Sequence, residues 1–418
     1  MKTFTGYEYV MIDVANNAPF GLDKLPFEKR LAWTEENEHQ LEDIAANEER
    51  WKEYPLFVKS VMALRKAQKG IPTGHMVHLD AVCSGMQIAS ALTGCEAGAA
   101  ATGLVHPDVR SDAYSEVTDT MNNILGTSVP VSRKDAKQAV MTSLYGSKFV
   151  PKQLFGEDTP ELAAFNQALM KIAPGASALL QKLIQSWNSE ALAHSWTLPD
   201  GYQANVKVMV SKTCKIECDE LNHATFTYQY DDNEPTEHGL SLAANLIHSC
   251  DAYLLRSVIR RCSYDAQRVT VLNMAITEEL LERELGVEPA KFSGVDESLD
   301  YYMRLWATTG VVDPVVVGYL DENLVTILPT EYLTKLNSIF AMMLEHKPFP
   351  IITVHDSFAA SPNNLNALRK HYRNVLADMS ESEMLSDLLT QLNHTPVNVN
   401  KINPQLHKTI RNSAYAIC

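Results

Sequence analysis

The chain contains 418 residues, of which 45% are hydrophobic and 21% charged, values typical of a globular protein with a buried core. Its 36 basic and 51 acidic residues give a formal charge of −15, which argues against coating nucleic acid or anionic membrane by bulk charge and leaves only a local basic groove. The high hydrophobic fraction excludes a disordered chain. The seven cysteines are odd in number and include no CxxC pair, which argues against a scaffold held together by disulfides.

Targeting signals are not evident at the start of the sequence. The segment MKTFTGYEYVMIDVANN lacks an apolar core before a cleavage site, so it predicts no signal peptide. The longest apolar stretch, residues 88–105, is rich in Gly, Ala and Thr and contains Glu96, which is typical of a buried helix rather than a membrane span. We therefore expect a soluble intracellular protein.

The hydrophobic pattern predicts a mixed α+β chain. Helices are predicted at residues 26–44, 51–68, 132–145 and 242–261, and strands at residues 75–82, within 206–230 and at 348–358. The last of these helices ends in Arg256, Arg260 and Arg261, which we expect to contribute to a local basic groove. Two apolar strands each contain one acidic residue, Asp80 and Asp356.

These two aspartates are candidates for metal binding. A carboxylate in an apolar strand is costly unless it is paired or coordinates a cation, and two such groups suit a pair of Mg²⁺ ions in phosphoryl transfer. The alternative is that each aspartate caps a turn or pairs with a nearby base.

A basic stripe lies on the helix predicted at residues 132–145. Arg133, Lys137, Met141 and Tyr145 recur every four residues and are followed by Gly146. Two cations followed by a thioether and an aromatic ring suit a triphosphate and then a base and sugar. The alternative is a solvated face that grades into the core.

Together these segments resemble the single-subunit DNA-directed RNA polymerases of phages and mitochondria. DAVCSGMQ at residues 80–87, SRKDAKQAVMTSLYGSK at 132–148 and HDSF at 355–358 are similar to the three polymerase motifs of that family, in the same order. Further similar segments are VANNAPFGLDKLPFEKR, DAY at 112–114, PDG at 199–201, HSCDA at 248–252 and the apolar end SAYAIC, which the family tucks toward its active site.

The resemblance implies a role for each matching residue. Asp80, Asp356 and the carbonyl of Ala81 would hold two Mg²⁺ ions. Lys24, Arg133 and Lys137 would bind the triphosphate, with Lys137 as proton donor. Tyr145 would sense the ribose, Tyr114 and Met141 would line the nucleotide pocket, and His248 would approach the minor groove. His355 and Ser357 would support the catalytic turn.

The implied product is RNA. The DNA-polymerising relatives have a glutamate five residues after the first aspartate, where it fills the space of a 2′-hydroxyl. Here that position is Gly85, and Met141 and Ser357 replace the Phe and Glu of those relatives. A DNA polymerase of the same fold is the alternative enzyme. A subunit that only holds template, or a metal-dependent nuclease, leaves the triphosphate helix unexplained.

The implied fold is the right-hand polymerase fold, mostly helical with a small antiparallel palm sheet. Palm would comprise residues 1–96 and 249–418, and fingers residues 97–248 with a β-hairpin region at about 207–239. An insertion at about 265–345 mixes helical and strand patterns. It would be either a partner-docking subdomain or a surface elaboration.

The main departure from the family pattern, at the start of the chain, shapes the expected partners. The family's long N-terminal region has no counterpart before Lys24, so the chain resembles the larger, catalytic subunit of two-chain polymerases of phages related to Enquatrovirus. We expect a smaller second subunit, a single-stranded DNA template and RNA product, a single-stranded-DNA-binding accessory protein, and the cytoplasm of an infected bacterium as location. Ala81 replaces the family's usual glycine.

The hairpin region is acidic, which predicts little independent promoter recognition because duplex affinity is dominated by phosphate neutralisation. Cys214, Cys218 and His223 in this region suggest zinc only weakly, because no second cysteine pair accompanies them.

Overall fold

A computed structural model describes residues 2–46, 51–126, 130–289 and 297–418 of the chain. Within these ranges the chain is mostly helical with small antiparallel sheets, which confirms the α+β class. The helices of the first half are α1 (Gly6–Asn17), α2 (Phe27–Asn37), α3 (Leu41–Ala46), α4 (Tyr54–Gln68), α5 (Ser84–Thr93), α6 (Glu96–Ala101), α7 (Ala113–Leu125), α8 (Arg133–Ser143), α9 (Phe149–Phe155), α10 (Pro160–Ile172) and α11 (Pro174–Gln185). Those of the second half are α12 (Ser241–Cys262), α13 (Ala266–Glu284), α14 (Glu297–Thr309), α15 (Glu322–Val325), α16 (Thr330–Leu344), α17 (Leu365–Glu381), α18 (Met384–Asn393) and α19 (Leu406–Ile410).

The strands form three separate antiparallel sheets. They are β1 (Val77–Asp80), β2 (Ala193–Thr197), β3 (Gln203–Lys207), β4 (Met209–Cys218), β5 (Ala224–Asn233), β6 (Ile352–Val354) and β7 (Ser357–Ala360). The sheet that matters for the site has the order β1-β7-β6, and β2–β3 and β4–β5 are two-stranded pairs. The strands predicted at 75–82, 206–230 and 348–358 are therefore confirmed.

The helix predicted at residues 26–44 is wrong in its length. Helix α2 ends at Asn37, a 3₁₀ turn occupies Glu38–Gln40, and α3 follows. The Asn37 amide donates to the Trp33 carbonyl at 2.7 Å and its oxygen accepts from Gln40 Nε2 at 2.6 Å. These side-chain bonds compete with helical backbone bonds and end the helix.

Helix α5 lies at the centre of the main core, where all ten of its residues are buried. It packs against α11, α12 and α17. Gln87 is fully buried and ties three elements together: its amide donates to the carbonyls of Thr102 at 2.9 Å and Ala416 at 2.8 Å, and its oxygen accepts from the Tyr372 hydroxyl. Gln87 thus fastens the end of the chain, at Ala416, to the core.

The insertion at residues 265–345 has a hydrophobic core of its own. Residues from α13, α14, α15 and α16 form it, among them Leu272, Leu299, Leu333 and Phe340. The predicted mixture of helix and strand is wrong for the described part of the insertion, which is helical apart from its loops; residues 290–296 lie outside the described residues. Residues 311–317 are rich in valine, a composition typical of strands. In the structure Pro314–Gly318 instead forms a short 3₁₀ helix that packs on α12 and α13.

The arginines of α12 do not form the basic groove that we expected, because each is neutralised by an aspartate distant in sequence. Arg256 and Arg260 both bind Asp200, and Arg260 also binds Asp313. Arg261 is fully buried and donates to Asp378 at 2.7 Å. These arginines join the β2–β3 turn, the insertion and α17 to α12 instead of facing a ligand.

None of the helices among the described residues combines the length and the hydrophobicity that crossing a membrane requires.

Candidate active site

The two strand aspartates meet at the end of the β1-β7-β6 sheet. Asp80, the last residue of β1, lies opposite Ser357, the first residue of β7, so Asp356 is its immediate neighbour. The Ala81 amide donates to the Asp356 carbonyl at 3.2 Å and extends this pairing by one residue. Two carboxylates separated by 276 positions of sequence thus project from one edge of one small sheet.

A tight turn presents Asp356. His355 and Asp356 connect β6 to β7, and His355 has a φ of 54°, in the left-handed region. A positive φ at the first central position matches the twist of a two-residue hairpin but costs energy for a residue other than glycine. On the next strand, His78 Nδ1 and Ser357 Oγ are 3.3 Å apart. This contact with β1 helps to hold the residue that follows the turn.

The end of the chain packs against the same edge. The Cys418 amide donates to the Asp80 carbonyl at 3.0 Å, and Ala81 forms a bridge with Ile417. Residues 413–418 are all buried, and Tyr415 stacks on Phe27 with ring centroids 5.1 Å apart. The sequence-based expectation that SAYAIC tucks toward the site is confirmed.

The carboxylates of Asp80 and Asp356, at the end of the β1-β7-β6 sheet, have no cationic partner among the described residues. Burial, and then the charge of Asp80, raise the pKa of Asp356, and neither aspartate forms an ion pair with any residue that the structure describes. A third carboxylate, Asp251 of α12, lies near Asp356, and burial raises its pKa to about 6 although Ser84 hydrogen-bonds it. Unpaired carboxylate oxygens beside a backbone carbonyl are the ligand set that Mg²⁺ prefers. The residues therefore fit a divalent cation.

Helix α8 supplies the cations of the site. The Ser132 hydroxyl accepts from the Asp135 amide and starts the helix. Arg133 binds Asp112 through Nε at 2.9 Å and Nη2 at 2.6 Å, which leaves Nη1 for a ligand. Lys137 is exposed and forms no ion pair with a described residue, and its charge acts on Asp356.

Tyr114 organises this cationic side. Its ring lies beneath both cations, 5.6 Å from the Arg133 guanidinium and 5.2 Å from the Lys137 ammonium. Its hydroxyl forms a hydrogen bond with the Cys83 thiol, and burial raises the pKa of both groups. Cys83 reaches Tyr114 from the left-handed N-cap of α5, at a φ of 57°. The two motif helices are thus linked through one tyrosine.

Tyr145 closes the far end of the stripe. It lies in the turn after α8, and its ring centroid is 4.6 Å from that of His248, whose pKa is lowered by burial. A Cβ atom on Gly85 would lie 2.9 Å from the Tyr145 hydroxyl, closer than ordinary packing allows. The absence of a side chain at residue 85 is what permits Tyr145 to occupy this position.

Two of the predicted site residues stand apart. Lys24 is exposed in the 3₁₀ turn Leu22–Lys24, and its ammonium bonds no other described residue. Met141 is 46% exposed on α8 and makes no polar contact with the site.

Asp80 is exposed rather than buried, so the cost of placing it in a strand is smaller than the apolar pattern indicates.

Sequence reasoning missed three residues of the site: Asp112, Cys83 and Asp251. Each lies inside a motif that was otherwise assigned. Asp251 follows His248 by three positions on α12, a spacing that places both on one helix face. That spacing was the available signal. Asp112 and Cys83 act through Arg133 and Tyr114, and nothing in the sequence announces those contacts.

The zinc set in the hairpin is not assembled. His223 instead lies 2.8 Å from Glu217 and 3.2 Å from Asp219, and all three are exposed at the hairpin tip. The Cys214 and Cys218 thiols make separate contacts, with the Lys215 carbonyl and Glu220.

Comparison with known proteins agrees with the motifs. Residues 3–186 match the family model of DNA-dependent RNA polymerase. The DNA-directed RNA polymerase of Pseudomonas phage phiKMV is 24% identical over 318 residues, which cover 62% of this chain and 38% of that protein. Mitochondrial DNA-directed RNA polymerase 1 of Arabidopsis thaliana is 26% identical over 307 residues, 59% of this chain and 30% of the relative. The mitochondrial polymerase 1B of Nicotiana tabacum is 30% identical over 179 residues, 35% of this chain and 18% of the relative. The matched region is therefore well under half of each relative's length.

Proposed function

We propose that this chain, which is similar to DNA-directed RNA polymerases of the phage and mitochondrial type, carries the catalytic centre for template-directed addition of ribonucleotides to an RNA 3′ end. The observation that supports this most is the β1–β7 register, which brings two unpaired aspartates together. Lys137 of α8, which forms no ion pair with a described residue, lies within electrostatic reach of Asp356.

Asp80 and Asp356 are the proposed ligands of two Mg²⁺ ions, with the Ala81 carbonyl as a further ligand. That carbonyl accepts no hydrogen bond from a described residue and is free for this purpose. Bound ions would promote attack by the 3′-hydroxyl and neutralise the leaving pyrophosphate. The pairing with β7 and the end of the chain holds the backbone of Asp80 and Ala81 in place before substrate arrives.

The cations of α8 are the proposed triphosphate site. Arg133 is oriented by its two bonds to Asp112 and presents Nη1, while Lys137 has its whole ammonium available. Lys137 is the proposed donor of the proton that the pyrophosphate takes up, because its ammonium is exposed, forms no ion pair with a described residue and acts on Asp356 through its charge. Lys24 would join them once the triphosphate is bound.

Selection of ribonucleotides is proposed to depend on Gly85 and Tyr145. With no side chain at residue 85, the Tyr145 hydroxyl reaches within 2.9 Å of the point that a Cβ atom would take, and from there it would contact a sugar 2′-hydroxyl. His248, whose ring is tilted by 51° against that of Tyr145, would hold the tyrosine ring and approach the minor groove of the growing end. Tyr114 and Met141 would line the nucleotide pocket.

The proposed architecture is a right hand with palm at residues 1–96 and 249–418 and fingers at 97–248. The sheet that carries both aspartates would be the centre of the palm, and α8 would belong to the fingers. A smaller second subunit, a single-stranded template, an accessory single-stranded-DNA-binding protein and action in the cytoplasm of an infected bacterium complete the proposal.

Primer extension tests the activity. The chain, alone and co-expressed with the products of neighbouring genes, receives Mg²⁺, an RNA primer on single-stranded DNA, and ribo- or deoxyribonucleotides in separate reactions. Asp356→Asn is the test variant. Asp158→Asn is the matched control, because Asp158 is exposed in a loop and asparagine tolerates its positive φ of 57°.

We expect ribonucleotide extension by the parent and the control but not by Asp356→Asn, with all three chains unfolding at the same temperature. Extension with deoxyribonucleotides alone would identify a DNA polymerase. Template binding without extension in every reaction would identify a non-catalytic template-holding subunit.

A further inference from the structure

The β4–β5 hairpin has one apolar and one polar face. Strand register pairs Cys214 with Tyr228 and Ile216 with Phe226, and these residues share a face with Tyr230. We call this surface, with Val210 included, the aromatic face of the hairpin; the ion pair between Lys212 and Asp232 lies on the same side, near the base of the hairpin. The opposite face is polar except for Met209 at its base, and it carries Ser211, Thr213, Lys215, Glu217, Thr225, Thr227, Gln229 and Asp231.

The aromatic face is open to solvent. Ile216 is 51% exposed, Phe226 54%, Tyr228 47% and Tyr230 44%. Tyr228 and Tyr230 are neighbours on one side of β5, and their ring centroids lie 5.8 Å apart. No hydrophobic cluster of the described residues includes any of these four side chains.

This pattern is unusual for a free-standing hairpin. An antiparallel sheet that alternates apolar and polar residues does so because one face packs on a core, and a two-stranded hairpin alone is marginally stable in water. Contiguous exposed aromatic and aliphatic side chains with a polar rim mark interaction sites. The alternation over ten residues of each strand therefore indicates a face that another molecule covers.

Charge defines the kind of molecule. Residues 209–233 contain two lysines and five carboxylates. Lys212 is occupied by Asp232 and Glu234. Of the other four carboxylates, Glu217, Asp219 and Glu220 lie at the tip, and Asp231 lies near the base on the polar face. A phosphate backbone would meet repulsion here, whereas a partner with lysines or arginines around an apolar centre would find complementary charge.

We propose that the aromatic face of the β4–β5 hairpin is a docking surface for a second protein, whose contacting segment presents apolar side chains flanked by Lys or Arg. This inference does not depend on the proposed polymerase activity. A second copy of this chain does not meet the requirement, because the same acidic rim would face itself on a chain of charge −15.

Binding of defined peptides to the full chain tests the proposal. The probes are two fluorescein-labelled 11-residue peptides that alternate valine or tyrosine with lysine in one and with glutamate in the other, together with a 20-nucleotide single strand and a 20-base-pair duplex. Affinity is measured by fluorescence anisotropy at 150 mM salt. Phe226→Ser with Tyr228→Ser removes the aromatic face, and Thr225→Ser with Thr227→Ser is the control on the polar face.

We expect the lysine peptide to bind at least tenfold more tightly than the glutamate peptide. The aromatic-face variant should lose at least tenfold in affinity while the Thr variant keeps it. Unchanged thermal unfolding shows that both variants fold, since all four side chains lie on an exposed hairpin. Three results would overturn the proposal: equal or no binding of the two peptides, binding that ignores the aromatic-face variant, or displacement of the peptide by either oligonucleotide. Concentration-dependent dimerisation that the same variant abolishes would assign the face to self-association instead.

Discussion

Helices α8 and α12 each carry three cations, but the cations of the two helices have different partners. On α8, Lys134 and Lys137 are exposed without an ion pair to a described residue, and Arg133 keeps one nitrogen free. On α12, the cations are Arg256, Arg260 and Arg261, and all three are bound to aspartates.

The difference lies in the partners and not in the helices. The aspartates that neutralise α12 are Asp200, Asp313 and Asp378, which come from a β-turn, the insertion and α17. Burial disfavours a charged guanidinium, yet these carboxylates raise the pKa of Arg260 and Arg260 lowers that of Asp313. A basic stretch of sequence therefore becomes a ligand site or an internal clamp according to which acids the fold delivers to it.

The largest expected effect is on α8. Lys137→Ala should slow ribonucleotide addition by roughly 10²–10⁴-fold if Lys137 donates a proton in the reaction. The free energy of unfolding should change by less than about 0.5 kcal/mol, because Lys137 is exposed and unpaired. Single-turnover primer extension and urea denaturation measure the two quantities.

Lys137→Arg is the matched control for charge. It keeps a cation over Tyr114 but raises the cost of releasing a proton, so we expect it to restore nucleotide affinity more than rate. A wild-type rate of nucleotide addition by Lys137→Ala would show that Lys137 takes no part in the reaction. The contrast between a ligand-binding α8 and an internally paired α12 would then no longer hold.

On α12 the expected loss is in stability. Arg260→Ala should lower the free energy of unfolding by about 3 kcal/mol, because it leaves Asp313 buried without its partner. Urea denaturation measures this, with Lys335→Ala as control, since Lys335 forms only a surface pair with Glu331 at 3.6 Å. Unchanged stability together with weaker template binding would show that the arginines of α12 face a ligand after all.

This contrast also explains what the sequence could predict. The apolar strands, the α8 stripe and the β-hairpin are local patterns, and the structure has each of them close to the predicted residues. The meeting of Asp80 with Asp356 was inferred from family motifs, and the strand register gives its physical basis. The motif set was informative because it fixes residues that are distant in sequence but adjacent in space.

What failed was the prediction of long-range charge pairing. Nothing near Arg260 in the sequence announces Asp313, which is 53 residues away, and nothing near Arg133 announces Asp112 as its partner. The break at Glu38–Gln40 was missed for a different reason: two polar side chains decide it against a helical pattern. Side-chain hydrogen bonds and distant ion pairs do not repeat with a period, so periodicity cannot reveal them.

A third test uses the one acid of α12 that faces the site. The folded chain raises the pKa of Asp251 from 3.8 to about 6, mainly through burial and then through Asp356. Between these two values the folded chain holds a proton that the unfolded chain has released. Stability from the protonated form is therefore present below about pH 4 and lost as pH rises through about 6.

We expect Asp251→Asn to remove this loss. Without Mg²⁺, the parent should lose about 2 kcal/mol more than the variant between pH 4 and pH 7. Urea denaturation of both chains at several pH values measures the difference, which cancels the contributions of other carboxylates. Parallel curves for the two chains would mean that water reaches Asp251 and that burial does not govern it.

The smallest effect, and the most direct test of which cations are free, is the salt dependence of template binding. A cation that contacts phosphate releases about 0.7 counterion per single-stranded contact, so its removal lowers the slope of log affinity against log salt by that amount. Lys134→Gln should lower the slope by about 0.7 if α8 meets the nucleic acid, without changing stability. Arg256→Gln removes a cation of the same sign whose guanidinium is bound to Asp200 at 2.6 Å, so the slope should stay the same. Fluorescence anisotropy with a single-stranded DNA between 50 and 200 mM salt measures both slopes. Equal salt slopes for Lys134→Gln and Arg256→Gln would contradict this prediction. They would mean that a cation paired with an aspartate contacts phosphate as readily as an unpaired one.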